Sequence, residues 1–372
     1  MKALCDRKGL LAAFGMVGGV APARSPKQIL QNLKFTVDPE AGATLLATDL
    51  EVGIRYQVAG VHTERAGSVI LPSAKFGSIL ATTPDKDIQL ELDGDQLLVK
   101  GLRFSYRLPS EDPNLFPDVP DFAADQYHVV AAADLKRSIR RTMFATDVES
   151  TRYALGGVLV ELTGDSMAMV GTDGRRLARM TTAVETENDA ELPAGMPVVP
   201  VKALKLIERN LVDDDPPVHL AIQGTTAVLI RTHNAVIYSR LVEGRFPRYQ
   251  DVFPTKVDVK IPMEVGPLRQ AVEQASIVTS DESRGVDFSF GEGVLTLNSQ
   301  AADVGQSTIE MPIPYDGKAV EITFDPRYLI DALKNLQDDA TITAELIDHK
   351  HAAVFRTDDG YSYVVMPLTR DR

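Results

Sequence analysis

Val170-Gly171-Thr172-Asp173-Gly174-Arg175-Arg176-Leu177-Ala178 is the stretch on which the reading of this 372-residue chain turns. Apolar residues flank a Thr-Asp-Gly corner on both sides. Glycine supplies the positive φ that a tight turn needs, so Ser166 to Val170 and Arg176 to Met180 read as the two strands of a hairpin. Taken alone, the corner fits an enzyme's acid loop, a recognition surface or a plain turn. Recurrence narrows the choice. Leu45-Leu46-Ala47-Thr48-Asp49 matches Met169-Val170-Gly171-Thr172-Asp173, and Asn298-Ser299-Gln300-Ala301-Ala302-Asp303 is a weaker third match.

The repetition extends on both sides of each corner. Lys2-Ala3-Leu4-Cys5, Tyr127-His128-Val129-Val130 and Val257-Asp258-Val259-Lys260-Ile261 read as strands, each leading into a short amphipathic helix. The first two helices carry Asp6 and Asp134 as expected caps. Their apolar faces are Leu10, Leu11 and Phe14; Leu135, Ile139 and Met143; and Leu268, Val272 and Ala275. After each corner comes a helix led by Pro72, Pro200 or Pro326, a residue suited to the first helical turn because its missing N–H is not needed there. Strands then close each unit, from Ile88 to Leu108, Val218 to Val242 and Ile342 to Met366. Phe116-Pro117 and Phe246-Pro247, with Phe253-Pro254, mark two extended joints, since proline blocks both helix and central strand. A period of roughly 125 residues is a whole domain rather than a solenoid unit. The chain therefore reads as three similar α+β domains, 1–122, 126–254 and 257–372, each with two helices and a larger set of strands.

Apolar residues make up 44% and charged residues 24% of the chain, as in globular proteins. Met1-Lys2-Ala3-Leu4-Cys5-Asp6-Arg7 becomes charged too early for a secretory signal, and no apolar run is long enough to span a membrane. Cys5 is the single cysteine, which excludes an internal disulfide and favours a cytoplasmic setting. A net charge of −13 argues against a surface that binds nucleic acid everywhere. It leaves room for one cationic face, and the helices supply it. Lys136, Arg137, Arg140 and Arg141 are expected on the side of their helix away from Leu135 and Ile139. Arg7, Lys8, Lys75, Lys202, Lys205, Arg209, Arg269, Arg327 and Lys334 lie on the other helices or at their ends. The acids cluster in strands and loops such as Asp213-Asp214-Asp215 and Asp338-Asp339, apart from helix caps such as Asp325.

The sequence contains no phosphate-binding loop, dinucleotide fingerprint or nucleophile elbow. His349 and His351 could share one face of a strand, but two ligands without a third do not make a metal site. Asp49, Glu51 and Asp173 could hold Mg²⁺ for phosphodiester cleavage; the simpler reading is that Asp49 and Asp173 cap their own turns. No catalytic set, cofactor or metal is expected.

The chain resembles the bacterial DNA sliding clamps, the beta subunit of DNA polymerase III. The resemblance rests on Val170 to Ala178, Leu241-Val242-Glu243-Gly244-Arg245-Phe246-Pro247, Arg284-Gly285-Val286 and Tyr363-Val364-Val365-Met366-Pro367-Leu368, in order and correctly spaced. It implies a processivity factor without enzymatic activity: a head-to-tail homodimer that closes six domains into a ring, helices inside, around duplex DNA of any sequence. It also implies docking of the polymerase III catalytic subunit, the clamp loader, and other polymerases and repair proteins through a short peptide.

Carried over by motif position, the peptide pocket would lie between the central and C-terminal domains. Leu155, Thr172, Gly174, Arg175, Arg176 and Leu177 would form one side. Pro247, Val252, Tyr328, Val364, Val365, Met366, Pro367 and Leu368 would form the other, with Arg176 at the rim. DNA contacts would come from Arg24 and Arg152 besides Lys75, Lys136, Arg137, Arg140, Arg141 and Lys202. The resemblance places Phe104 and Tyr106 of one copy against Ile277 and Val278 of another. Arg175 stands where many members of the family have histidine, Ser283 where an aromatic can occur and Asp251 where a basic residue can occur. Glu149 falls near a position that in relatives approaches DNA, and Thr369 to Arg372 runs slightly past the usual end. These changes should retune peptide preference. Two other classes stay open at this point: a metal-dependent nuclease on Asp49, Glu51 and Asp173, and a repeat-built peptide scaffold that does not bind DNA.

Overall fold

A computed structural model describes residues 1–149, 154–188, 190–193 and 195–368. Six helices lie among them: α1 (Arg7–Val17), α2 (Ser73–Thr82), α3 (Ala132–Met143), α4 (Val201–Arg209), α5 (Val265–Ser276) and α6 (Pro326–Leu333). All sheet pairings are antiparallel. The chain divides into two compact units, and the division falls within α3 and near the start of α4. One unit comprises Met1–Lys136, Val184–Gly195 and Lys202–Leu241. The other comprises Arg137–Ala183, Met196–Val201 and Val242–Arg372.

The first unit contains a five-stranded and a nine-stranded sheet. The smaller one runs Val61–Arg65, Lys2–Asp6, Asp87–Asp93, Gln96–Lys100, Ser105–Pro109. In the larger one, Val52–Gln57 pairs with Ala235–Arg240, so strands from either end of the unit's sequence share one ladder. Leu10, Ala13 and Val17 of α1 and Phe76, Ile79 and Leu80 of α2 are buried, and Phe14 meets Phe76 with ring centroids 5.9 Å apart. Leu33, Phe35 and Val37 are buried on the alternating pattern of a strand with one face in a core. Asp6 caps α1 as expected, accepting from the Gly9 N–H at 2.8 Å.

The second unit repeats the arrangement. Its eight-stranded sheet pairs Arg176–Ala183 with Tyr361–Val365, in the register Leu177 opposite Val364. Its four-stranded sheet runs Gly305–Pro312, Val294–Ala301, Val286–Gly291, Val320–Phe324. A core of Val265, Leu268 and Val272 from α5, Leu329 and Leu333 from α6, and Phe288, Phe290 and Phe324 fills it.

The expected hairpin is present, Ser166–Thr172 against Arg176–Ala183, with Gly174 at φ 85°. Gly171 is required by packing as well as by pattern, because a Cβ there would collide with the Thr142 carbonyl of α3. Three expectations need correcting. Asp134 lies inside the first turn of α3, which begins at Ala132; its charge still suits that helix end. Arg141 is only 7% exposed, so it does not lie on the solvent face of α3 with Arg140, which is exposed. The third corner match is displaced by two residues. Ser299 donates to the Ala275 carbonyl of α5 at 2.7 Å, the place where Gly171 approaches Thr142 of α3. Gln300, not Ala302, is therefore the counterpart of Thr172, and this module has no Thr-Asp corner.

Candidate binding cleft and cationic helices

The Asp49 and Asp173 corners are alike bond for bond. Thr48 and Thr172 donate their hydroxyls to the carbonyls of Val52 (3.0 Å) and Arg176 (2.7 Å). The same hydroxyls accept the N–H of Leu50 and Gly174, both at positive φ. Asp49 Oδ1 accepts from Glu51 and Val52, and Asp173 Oδ1 from Arg175 and Arg176. The next strand is then tied to the module's neighbour in the same way: Arg240 N–H to Glu51 O and Met366 N–H to Arg175 O, each 2.9 Å.

What differs is the lining. Leu177 and Val364 face each other at the second corner, with Met366 beyond them. At the first corner the matching positions are Gly53, Tyr238 and Arg240. Val119 covers Gly53 so closely that an added Cβ would lie 2.8 Å from its Cγ1. The second corner therefore has an apolar lining that the first lacks. Its floor is a cluster of Ala154, Leu159, Val170, Leu177, Val198, Phe246, Tyr249, Val354 and Val364. Val252 and Met366 are 41% and 44% exposed. Gly174 and Arg175 are exposed; Pro247, Tyr328, Pro367 and Leu368 are half-buried. Thr172 and Leu155 are nearly covered.

Val365 takes no part in that floor. It alternates to the opposite face of its strand and is fully buried in the core around α5 and α6. Arg176 is more enclosed than a rim residue. Its Nε meets Asp173 Oδ2 at 3.0 Å, Nη1 meets Asp331 Oδ2 at 2.7 Å, and Nη2 donates to the Phe144 carbonyl at 3.2 Å. The guanidinium also sits 4.7 Å from the centroid of the Tyr328 ring. Burial opposes its charge, but the Asp331 hydrogen bond and the nearby acidic groups Tyr363 and Asp173 outweigh that and raise its pKa. Tyr249 donates to Glu161; burial first, then this bond, pushes its phenol up to about 12. Sequence reasoning missed Tyr249 and Asp331, and treated Phe246 only as a joint anchor.

Most of the helix cations on which the charge argument rests are engaged within the chain. Lys136 Nζ lies 2.7 Å from Asp213, Arg141 Nη1 2.6 Å from Asp359, and Arg269 Nη2 2.9 Å from Asp338. Lys202 pairs with Asp49. Burial alone would raise the pKa of Asp49; Lys202 and the N–H groups of Val52 and Glu51 reverse this and hold its carboxyl below the usual range. Arg7 donates to the carbonyls of Asp85 and Leu80. Arg24 and Lys75 are exposed, and Arg137 is half-buried. Arg152 lies outside the described residues. Asp49 and Asp173 both spend their oxygens on their own turns and a neighbouring cation, as the simpler sequence reading holds.

Models of the N-terminal, central and C-terminal domains of the DNA polymerase III beta subunit match residues 1–120, 129–248 and 250–369. The chain belongs to this family. The beta sliding clamp of Chlamydia muridarum is 28% identical over 375 residues, 99% of each chain. A solved structure of the sliding clamp from Pseudomonas aeruginosa bound to griselimycin is 28% identical, with a TM-score of 0.90 over 100% of both chains. The sliding clamp of Bacillus subtilis, 22% identical, shares the fold, with a TM-score of 0.92 over 100% of this chain and 99% of that one. Membership makes the protein a processivity clamp for DNA polymerase and not an enzyme. Nothing in these likenesses supports the nuclease alternative. Among the described residues, no helix is long and apolar enough to cross a membrane.

Proposed function

We propose that two copies of the chain join head to tail around duplex DNA, and that each offers the cleft over Leu177 and Val364 to a partner's peptide. Three modules, bounded at 1–122, 126–254 and 257–372, supply the parts. The observation that carries the dimer is a pair of unsatisfied sheet edges. Val52–Gln57 pairs with Ala235–Arg240, and Arg176–Ala183 pairs with Tyr361–Val365. The corresponding strand of the third module, Gly305–Pro312, and the last strand of the first, Ser105–Pro109, each have a single neighbour among the described residues. A second copy completes both ladders, since open edges favour such pairing. Phe104 and Tyr106 lie at the first edge. Ile277, 73% exposed, and Val278 follow α5, which packs against Gly305–Pro312.

DNA is held through phosphates by Arg24, Lys75, Lys136, Arg137, Arg140 and Lys202. Phosphate contacts carry no sequence information, so a closed ring retains DNA while leaving it free to slide. Arg141, enclosed with Asp359, is left out of this set. The cleft suits a short segment with apolar anchors, since Leu177, Val364, Val252 and Met366 offer it a largely dry surface. Its owners would be the polymerase III catalytic subunit, the clamp loader, and other polymerases and repair proteins.

Deleting residues 366–372 removes Met366, Pro367 and Leu368 from the cleft and leaves both proposed dimer edges untouched. A fluorescent peptide with Leu and Phe anchors should lose at least about tenfold in affinity, or roughly 1.4 kcal/mol, while the mass in solution stays that of a dimer. Unchanged peptide binding would show that the cleft is elsewhere.

A further inference from the structure

Lys136 and Lys202 would both meet DNA in the reading above, and both already hold a carboxylate. The Lys136 side chain is 18% exposed, and its partner Asp213, in the loop after α4, is 70% exposed. Asp213 is therefore a solvent-facing acid laid on a cation at the surface of α3. Lys202, in the first turn of α4, is held by Asp49 of the first corner. Neither acid lies on the helix that bears its lysine, so neither serves as a cap or as a pair along the same helix. We propose that Asp213, and Asp49 with it, are built-in competitors for phosphate, which keep this clamp's contact with duplex DNA loose. This rests on the DNA-encircling reading and goes beyond it by giving acids on the chain a part in setting the grip.

The physics is an exchange of ligands. An exposed ion pair is worth little, so a phosphate can displace Asp213 from Lys136. The displacement leaves a carboxylate beside the phosphate and spends attraction that a bare lysine would deliver in full. Each phosphate neutralised adds about 0.9 to the slope of log affinity against log salt. A lysine carrying its own counter-ion contributes less than that. The salt slope of the intact protein is therefore shallower than its helix cations imply, which suits a ring that retains DNA by topology and has to slide.

The test compares Asp213→Asn with Asp214→Asn. Both remove one negative charge, from neighbouring exposed residues, but only Asp213 is paired with Lys136. Binding of a fluorescent duplex to the full chain is followed by anisotropy between about 50 and 200 mM salt, a range over which the Debye length shortens through about 10 Å. Asp213→Asn should bind about threefold more tightly at the low-salt end and steepen the slope by up to about one. Asp214→Asn should match the unchanged protein, and Asp213→Asn with Lys136→Met should lose the gain. Equal gains from the two single variants would make net charge the cause and overturn the proposal, as would no gain from Asp213→Asn. An unchanged protein that binds no duplex even at the low-salt end would overturn the proposal, because there would be no phosphate contact for Asp213 to weaken; the DNA-encircling reading is tested apart from it, by retention on circular DNA.

Discussion

Tyr106→Asp combined with Ile277→Asp should leave a monomer of 40.5 kDa in solution where the unchanged chain gives twice that mass. Tyr106 is 43% exposed at the end of a sheet, and Ile277 is 73% exposed just past α5. Large apolar side chains in such positions invite cover, and each proposed contact occurs twice in a symmetric dimer. Aromatic anchors at the centre of an interface are worth about 2–4 kcal/mol each when truncated. Placing a carboxylate on an edge strand also opposes pairing with another edge. The combined change should weaken association at least about a hundredfold, near 3 kcal/mol. Scattering mass across a dilution series reads this directly. Neither side chain is in a core, so the circular dichroism of the variant should be unchanged. A variant that remains dimeric would mean that the chain associates through another surface.

Phe246→Ala should disable the cleft from below. Phe246 is 1% exposed and belongs to the cluster with Leu177, Val364 and Tyr249, whose ring it meets edge-on at 6.4 Å. Truncating a buried phenylalanine costs about 3–5 kcal/mol in lost burial and residual cavity. The loss should be local. Hydrogen exchange should accelerate along Arg176–Ala183 and Tyr361–Val365, and protection along Val52–Gln57 should be kept. Affinity for the peptide of the proposed cleft should fall with it, by more than tenfold, because the cluster beneath Leu177 and Val364 then holds a void. Equal loss of protection in both ladders would show that the two joints unfold as one.

The sequence was most legible where one residue type has one physical use. Thr172-Asp173-Gly174 announced its hairpin because its hydroxyl, carboxylate and positive φ each have a single role there, and Thr48-Asp49 announced the same corner with leucine in glycine's place. The face of α1 was only half legible: Leu10 is buried as expected, but Ala13 and Val17 fill the core where the pattern put Leu11 and Phe14, which stay half-buried. What stayed hidden lies in tertiary pairings. Arg141 looks like Arg140 along the chain; only Asp359, over two hundred residues away, draws it inside. Asp331 has no local mark of its tie to Arg176, and the acids that neutralise Lys136 and Lys202 lie 77 and 153 residues away from them. Val365 was grouped with Val364 because the motif is contiguous, although a strand sends neighbours to opposite faces. The weak third match was misplaced because Asp303 imitates Asp173, while the true counterpart, identified by Ser299 against Ala275, carries no acid. The joining of modules through shared ladders was invisible, since pattern gives a strand its faces but not its neighbour.

The most direct measurement is retention on DNA of different topology. The protein is loaded onto nicked circular duplex, separated from free protein at 200 mM salt (where weak phosphate contacts alone are screened), and half of the sample is then cut once with a restriction enzyme. Two copies per circle should remain on intact circles and be lost from the linearised ones, since a ring leaves only over an end. Equal retention on both forms, or equal loss from both, would mean that DNA is held by contacts and not encircled.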